Sequence, residues 1–290
     1  MKGGSALDVP AALRDTCARN DAASAWLAGL PEVVAELARH WSLRLGPPFE
    51  AARAWVAPAE RADGTAAVLK LGLPHFEAEH EGDGLRVWNG DGAVRLFDSE
   101  PAQHALLLER LSPGTPLAER ARLEQDAVLA RLLLRLWRAA VPARPFRPLA
   151  DMAERWCNEA VARRSGWADA GLVNEGLRLF EELPRSAPSR VLLATDLHAG
   201  NVLAAQREPW LAIDPKPFVG DAAYDATQHL LFDSRASVLA DSDEAIRSFA
   251  DLLELSHERV RLWTFARAAL MSGSDPARHW ATELARALAP

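Results

Sequence analysis

The sequence is short of cysteine and of lysine, and it contains no long apolar run. Cys17 and Cys157 are its two cysteines in 290 residues, far apart and without metal-ligand neighbours. That excludes a disulfide scaffold and a cysteine-held metal, and it fits two reduced thiols in a cytoplasmic protein. No stretch of about 18 uncharged apolar residues is present, so no membrane span is expected. The opening "MKGGSALDVPAALRD" lacks the apolar centre of a signal peptide. A basic excess is missing as well: 40 acidic against 33 basic residues give a net charge of −7. That balance speaks against a nucleic-acid-binding face, and it is compatible with a cationic ligand. Three of the basic residues are lysines, Lys2, Lys70 and Lys216. In a chain that otherwise uses arginine, positions 70 and 216 stand out as places where a compact point charge is wanted.

What is present is a globular composition, 49% hydrophobic and 25% charged, long enough to bury a large core. The first 40 residues carry helical spacing in "SAWLAGLPEVVAELARHW", with Pro31 placed to open a second helix. Strand-like runs follow in "ARAWVAPA" and "AAVLKLGL", joined by "ERADGT" with the Asp-Gly of a hairpin turn. A helical window then runs from Pro74 to Trp88, followed by the strand candidates "AVRLF" and "HALLLERL". "SPGTP" reads as a linker. Beyond it the chain is helical, beginning with a stripe of Leu123, Leu129, Leu132, Leu133, Leu136 and Trp137. The ten tryptophans read mostly as core residues of these elements. The expected layout is α+β: an N-terminal lobe over 1–111, with a helical extension at 10–40, and a helical C-terminal lobe over 112–290.

One polar island interrupts the second region, "VLLATDLHAGNVLAAQREPWLAIDPK". "NVLAA" and "WLAID" can pair as a hairpin across "QREP", which folds Asn201 and Asp214 toward each other, with Asp196 on the preceding loop. An Asn and an Asp can offer oxygens to a hard divalent cation whose shell is completed by phosphates, as Mg²⁺ prefers. A separate carboxylate then remains to take a proton from an attacking hydroxyl. Taken singly, Asp196 reads as a loop or cap residue; with Asn201, Asp214 and Lys70 it reads as part of a site. His198 reads as a residue that fixes the loop by hydrogen bonds, and Asp221 and Asp225 as caps or braces of the next helix. Lys216 could screen phosphates or pair with an acid. A metallophosphoesterase reading of "DLH" and Gly220-Asp221 needs a downstream G-N-H-[DE], which the sequence lacks.

The order D-L-x-x-x-N, hairpin, Asp is that of kinase catalytic segments. "ATDLHAGNVLAAQREPWLAIDPKPFVGDAAYD" resembles the aminoglycoside phosphotransferase family, closest to its branch of streptomycin 6-kinases and hydroxyurea phosphotransferases. A weaker likeness reaches back through "AVLKL", "HEGDGLRVW" and "LLLERL". The resemblance implies a protein-kinase-like two-lobed fold, ATP and Mg²⁺, and a small-molecule hydroxyl acceptor, possibly cationic. It implies Asp196 as base, Asn201 and Asp214 as Mg²⁺ ligands, and Lys70 on the α- and β-phosphates. It also implies the backbone around Glu109, Arg110 and Leu111 as the adenine edge, with His198, Lys216 and Asp221 in support. The carboxylate partner of Lys70 is to be found among Glu77, Glu79 and Glu81; Glu81 shares a helix face with Leu85 and Trp88 and is preferred, with Glu77 in reserve. Two departures stand out. Thr195 occupies a position where the family often has Gly, and "GPPFEAARAWV" contains no G-x-G-x-x-G, which gives less backbone freedom over phosphates.

For the acceptor, Asp151, Glu154, Glu159, Asp241, Asp243 and Glu244 offer negative charge suited to a polyamine sugar. Hydroxyurea or another small metabolite is the alternative substrate, and a nucleotide-binding pseudokinase the alternative function. A monomer or weak homodimer is expected.

Overall fold

Alternation along one strand organises the N-terminal unit of the computed structural model, which describes residues 7–290. Residues 1–6, with Lys2 and the start of the expected N-terminal lobe, lie outside the described residues. Helices α1 (Ala11–Cys17) and α2 (Asp21–His40) precede an antiparallel sheet of β1 (Arg44–Leu45), β2 (Ala54–Glu60), β3 (Ala66–Gly72), β4 (Leu96–Glu100) and β5 (Ala105–Glu109). The strand order is β1-β2-β3-β5-β4. On β3, Ala67, Leu69 and Leu71 alternate with Val68 and Lys70, so the two sets face opposite sides of the sheet. Leu69 and Leu71 join Trp55, Ala57 and Ala105 in one core with Leu13 and Cys17 of α1 and Leu30, Val34 and Leu37 of α2. The opposite face, with Lys70, receives α3 (Glu81–Trp88): a Cβ on Gly82 would lie 3.0 Å from Leu106, the cross-strand partner of Lys70.

Three local readings are corrected. Pro31 does not open a helix but lies inside α2, which Asn20 caps at its start. The proline forfeits one backbone hydrogen bond; the buried stripe of Leu30, Val34 and Leu37 crosses it in register, and that packing keeps the helix continuous. The fourth strand begins at Leu96, later than "AVRLF" suggests, because Ala93 bridges Ala212 instead. Leu123 is exposed, at 73%, so the buried stripe of the first long helix after the sheet starts beyond it.

The chain divides into two compact units, one running to Gly90 and including Val94–Ser112, the other comprising Asp91–Ala93 and Pro113–Pro290. The second unit contains α4 (Arg122–Leu136), α5 (Leu149–Ala162), α6 (Ala170–Glu182), β6 (Val191–Leu193), β7 (Val202–Ala204), β8 (Trp210–Ala212) and β9 (Phe218–Gly220). Five further helices follow: α7 (Ala222–Phe232), α8 (Arg235–Ala240), α9 (Ser242–Leu252), α10 (His257–Met271) and α11 (His279–Leu288). Helix α10 is buried from Trp263 to Leu270, and α6 crosses it closely at Gly176, where a Cβ would come within 2.7 Å of Ala269. The expected linker "SPGTP" is not loose. Gly114 donates to Ala204 at 3.0 Å, and Ala204 to Thr115 at 2.9 Å, so this segment pairs with β7. Burial pushes both thiols up, Cys157 to about 11 with Glu181 and Glu154 adding to it. No helix among the described residues is long and apolar enough to cross a membrane.

Candidate active site

Two short antiparallel pairs build the polar island. Strand β6 pairs with β9, and β7 with β8, so the chain crosses between the pairs twice, at residues 194–201 and 213–217. The two crossing loops are tied by backbone hydrogen bonds, Ile213 to Asn201 at 2.9 Å and Lys216 to Ala194 at 2.9 Å. The hairpin therefore has the register Val202↔Ala212, and Asn201 and Asp214 lie beside its open end. Asn201 Nδ2 donates to the Asp196 carbonyl at 3.0 Å, which commits the nitrogen end of the amide and leaves Oδ1 outside that bond. Asp214 sits at φ +52°.

Asp196 is held at both oxygens. Its Oδ2 accepts from the Lys216 ammonium, and its Oδ1 accepts from Gln228 Nε2 at 2.6 Å. Of the two roles open to Lys216, the structure displays the pairing with an acid. Thr195, just before, has φ +48°, a conformation that costs a β-branched residue strain and that glycine adopts freely. The surroundings enforce it: Thr195 Oγ1 donates to the Lys216 carbonyl at 2.6 Å, and its N–H donates to Asp225 at 2.7 Å. Asp225 also accepts from Ala194 N–H at 3.0 Å and Trp137 Nε1 at 2.9 Å. Burial pushes the Asp225 carboxyl up to about 6, against the pull of these donors. Asp225 thus braces the loop before Asp196. Asp221 is further along: it caps α7 through Ala223 and ties it to α10 through Arg259 and Trp263, each at 2.6 Å.

His198 Nδ1 accepts from Gly200 N–H at 3.1 Å, a loop-fixing bond that requires the neutral ring. Burial lowers its pKa, which keeps it so. The far side of the loop is fixed by a chain that sequence reading missed. Ala199 N–H donates to Asp233 at 2.7 Å; Asp233 faces His229 Nδ1 at 2.9 Å, and His229 Nε2 faces Asp126 at 2.6 Å. A carboxylate at each nitrogen favours the doubly protonated ring. Burial works against that charge, but the hydrogen bonds to Asp126 and Asp233 outweigh it, and His229's pKa is raised. Burial also opposes the Asp233 carboxylate, yet His229 and Ala199 hold its pKa below the usual value.

The signs set a pH window. A raised histidine contributes stability that is complete below about pH 6.5, its ordinary value, and lost as pH rises through the folded value. A lowered aspartate contributes stability present above about pH 4 and lost as pH falls through its own folded value. The wild-type protein should therefore lose urea stability on the alkaline side of about pH 6.5, and His229→Gln should lose less over the same range. Parallel stability-against-pH curves for the two proteins would show that His229 is not charged in the fold.

In the N-terminal unit, Lys70 Nζ reaches both carboxylate oxygens of Glu81, at 2.6 and 2.7 Å, and both residues are buried. Among the three carboxylates considered, Glu81 receives this contact because it opens α3 on the face that carries Leu85 and Trp88. At the end of β5, Glu109 N–H donates to the Arg95 carbonyl at 2.9 Å, while Arg110 is exposed and Leu111 half-buried. The segment 46–53 is a proline-stiffened connection between β1 and β2, anchored by Gly46 to Pro58 at 2.8 Å and Phe49 to Val56 at 2.8 Å.

The acidic residues singled out for the acceptor are not brought together. Asp151, Glu154 and Glu159 lie exposed on α5, Glu159 paired with Arg155 at 3.0 Å, and Asp241 caps α9. Glu159 lines a cavity of about 450 Å³ with Trp156, Arg163, Asp275 and Trp280. Glu244 lines a different one with Asp126, Arg247 and Asp251. Gln228, His229, Asp233 and Arg267, which hold the loop, were not legible as site residues. One signal was available: polar residues at i, i+3, i+4 and i+8 from Asp225, on one face of an otherwise apolar helix.

The fold has counterparts among known proteins. The structure superposes on a choline kinase from Streptococcus pneumoniae with a TM-score of 0.65 at 11% identity, over 90% of this chain and 99% of that one. For the aminoglycoside phosphotransferase APH(4)-Ia the TM-score is 0.59 at 16% identity, over 89% and 99%. At such identities the likeness establishes a protein-kinase-like α+β fold and no more. Sequence relatives carry further. A streptomycin 6-kinase of Streptomyces glaucescens is 39% identical over 92% of this chain and 90% of its own length. A hydroxyurea phosphotransferase of Kitasatospora aureofaciens is 37% identical over 91% and 79%. Residues 40–278 match the family model described as aminoglycoside/hydroxyurea antibiotic resistance kinase. The chain belongs to that family of phosphotransferases.

Proposed function

We propose that this kinase moves the γ-phosphoryl group of ATP to a hydroxyl of a streptomycin-like aminoglycoside, with Asp196 as the base. The observation that carries the reading is the Asp196 carboxylate, fixed at one oxygen by Lys216 and at the other by Gln228, in the loop that also bears Asn201. As the acceptor oxygen forms its bond to the γ-phosphorus, the bond to the β-phosphate oxygen breaks, and the hydroxyl proton passes to Asp196. The proton leaves the acceptor hydroxyl late, so the chief task of Asp196 is to aim the hydroxyl in line.

Asn201 Oδ1 and the Asp214 carboxylate are the ligands assigned to Mg²⁺. Their chemistry fits: two hard oxygen donors suit an ion that fills its shell with phosphate and water. When bound, Mg²⁺ would draw charge from the phosphate oxygens. Lys70, oriented by Glu81, is assigned to the α- and β-phosphates, and the backbone from the Glu109 carbonyl to Leu111 N–H to the adenine. Arg110 contributes its backbone only. His198 and Asp221 keep the loop and α7 in place. Relatives named streptomycin 6-kinase, at 38–39% identity, support the aminoglycoside. The relative named hydroxyurea phosphotransferase supports hydroxyurea as the second reading.

Purified protein with ATP and Mg²⁺ should release ADP in the presence of streptomycin and yield a singly phosphorylated product by mass spectrometry. ADP release with hydroxyurea alone would transfer the assignment to the second reading. Nucleotide binding without turnover on either compound, other aminoglycosides or simple sugars would defeat both and favour a pseudokinase.

A further inference from the structure

Helix α7 works as a template for the loop around Asp196. Asp225 takes the N–H groups of Ala194 and Thr195, Gln228 takes the Asp196 carboxylate, and the His229–Asp233 pair takes Ala199 N–H. Three of these contacts involve carboxylates receiving backbone N–H groups. The fourth differs, because it reaches the reacting carboxylate itself, and because it is driven from behind.

Gln228 has a terminal amide that could present either its nitrogen or its oxygen. Arg267 decides which. Its Nη2 donates to Gln228 Oε1 at 2.7 Å and its Nη1 to Thr227 Oγ1 at 2.6 Å, so the oxygen end of the amide is taken and the nitrogen must face Asp196. Arg267 is 3% exposed, and its guanidinium lies over two rings, Tyr224 at 4.8 Å and Trp156 at 5.3 Å. Its Nε is buried with no hydrogen-bond partner among the described residues. A buried arginine that leaves one donor unmet while using its fork on two neighbours is oriented for the fork.

We propose that Gln228 and Arg267 are positioning residues for Asp196: Arg267 fixes the Gln228 amide so that it holds one carboxylate oxygen and sets the direction in which the other lone pairs meet the acceptor hydroxyl. The intervening amide has a physical advantage over a direct arginine contact. With the Lys216 ammonium already on one oxygen, a guanidinium on the other would stabilise the ionised carboxylate further and weaken it more as a proton acceptor. A neutral amide donor holds the oxygen with less of that penalty, and the charge one bond further back keeps the amide from flipping. Lys216 supplies the cation at the other oxygen.

The inference rests on the assignment of Asp196 as base, so the experiment separates the two. ATP turnover is measured with streptomycin, and with water as acceptor in its absence, in a cycle of wild type, Gln228→Leu, Asp196→Asn and the double variant. Small misplacements of a reacting group cost up to about 100-fold in rate, so Gln228→Leu should lower kcat by roughly 10- to 100-fold. KM for ATP should stay within about twofold. In the Asp196→Asn background the same substitution should cost less than about twofold, since residues that act through one another are not additive. Arg267→Lys keeps the charge but loses the planar fork and should lower kcat by about tenfold. Gln228→Glu, which puts a carboxylate against Asp196, should be at least as damaging as Gln228→Leu, and with Arg267→Lys it carries the test if Gln228→Leu fails to fold. Wild-type kcat in these single variants, or an equal loss from Gln228→Leu in both backgrounds, overturns the relay. Retained turnover in Asp196→Asn alone overturns the base assignment instead.

Discussion

Asp196→Asn should bind ATP as the wild type does and turn it over about 10²- to 10⁴-fold more slowly, the usual cost of a lost general base. In barrier terms that is roughly 3–5 kcal/mol. An alcohol is a poor nucleophile near neutral pH, and its proton becomes acidic only as the bond to phosphorus forms. A carboxylate there accepts the proton and aligns the oxygen; an amide of the same shape does neither. The substitution also turns an amide nitrogen toward either Lys216 or Gln228, both donors, so the side chain at 196 loses one of its two anchors. That adds to the loss of rate and should be seen as a small fall in melting temperature. The decisive pair of measurements is kcat on an accepted substrate and Kd for ATP. More than about a tenth of wild-type kcat lies above the range for a lost base and would remove Asp196 from the role.

The second large effect concerns the Lys70–Glu81 pair, and it separates stability from activity. Glu81→Leu leaves a buried ammonium without its carboxylate, and breaking such a pair from one side costs about 3–5 kcal/mol. Lys70→Met leaves a carboxyl that can take up a proton, so its cost should be smaller. The double variant, Lys70→Met with Glu81→Leu, removes both desolvated charges and should regain most of the stability, since apolar replacement of a buried pair is often neutral or favourable. Turnover should stay abolished in all three, and ATP affinity should fall wherever Lys70 is missing. Urea unfolding and calorimetric ATP titration read the two properties separately. Full ATP affinity in the double variant would take Lys70 off the phosphates. A double variant no more stable than Glu81→Leu would mean the pair is not the source of the loss.

The elements of the N-terminal unit were legible because a strand announces itself with a period of two. "AAVLKLGL" gives Leu69 and Leu71 to one face and Lys70 to the other, and "ERADGT" supplies the turn, with Gly64 at φ +82°. The continuity of α2 through Pro31 was not legible. It depends on Leu30, Val34 and Leu37 meeting Trp55, Leu69 and Leu71, residues that lie far along the chain. In the second unit the hairpin of β7 and β8 could be read from "NVLAAQREPWLAID" by the same period, and with it the proximity of Asn201 and Asp214.

By itself, the sequence determined part of the local geometry: strands β2 and β3, the hairpin of β7 and β8, and the placing of Asp196, Asn201 and Asp214 on the loops beside it. Short-range periodicity and turn chemistry act over a few residues, so they leave a record in consecutive letters. Tertiary structure alone decided what holds Asp196. Gln228 and Arg267 lie 32 and 71 positions beyond it, and His229 meets Asp126 across 103 residues. Such contacts leave no local pattern, because a buried polar group needs only one partner at hydrogen-bond distance, and the fold can bring that partner from anywhere in the chain.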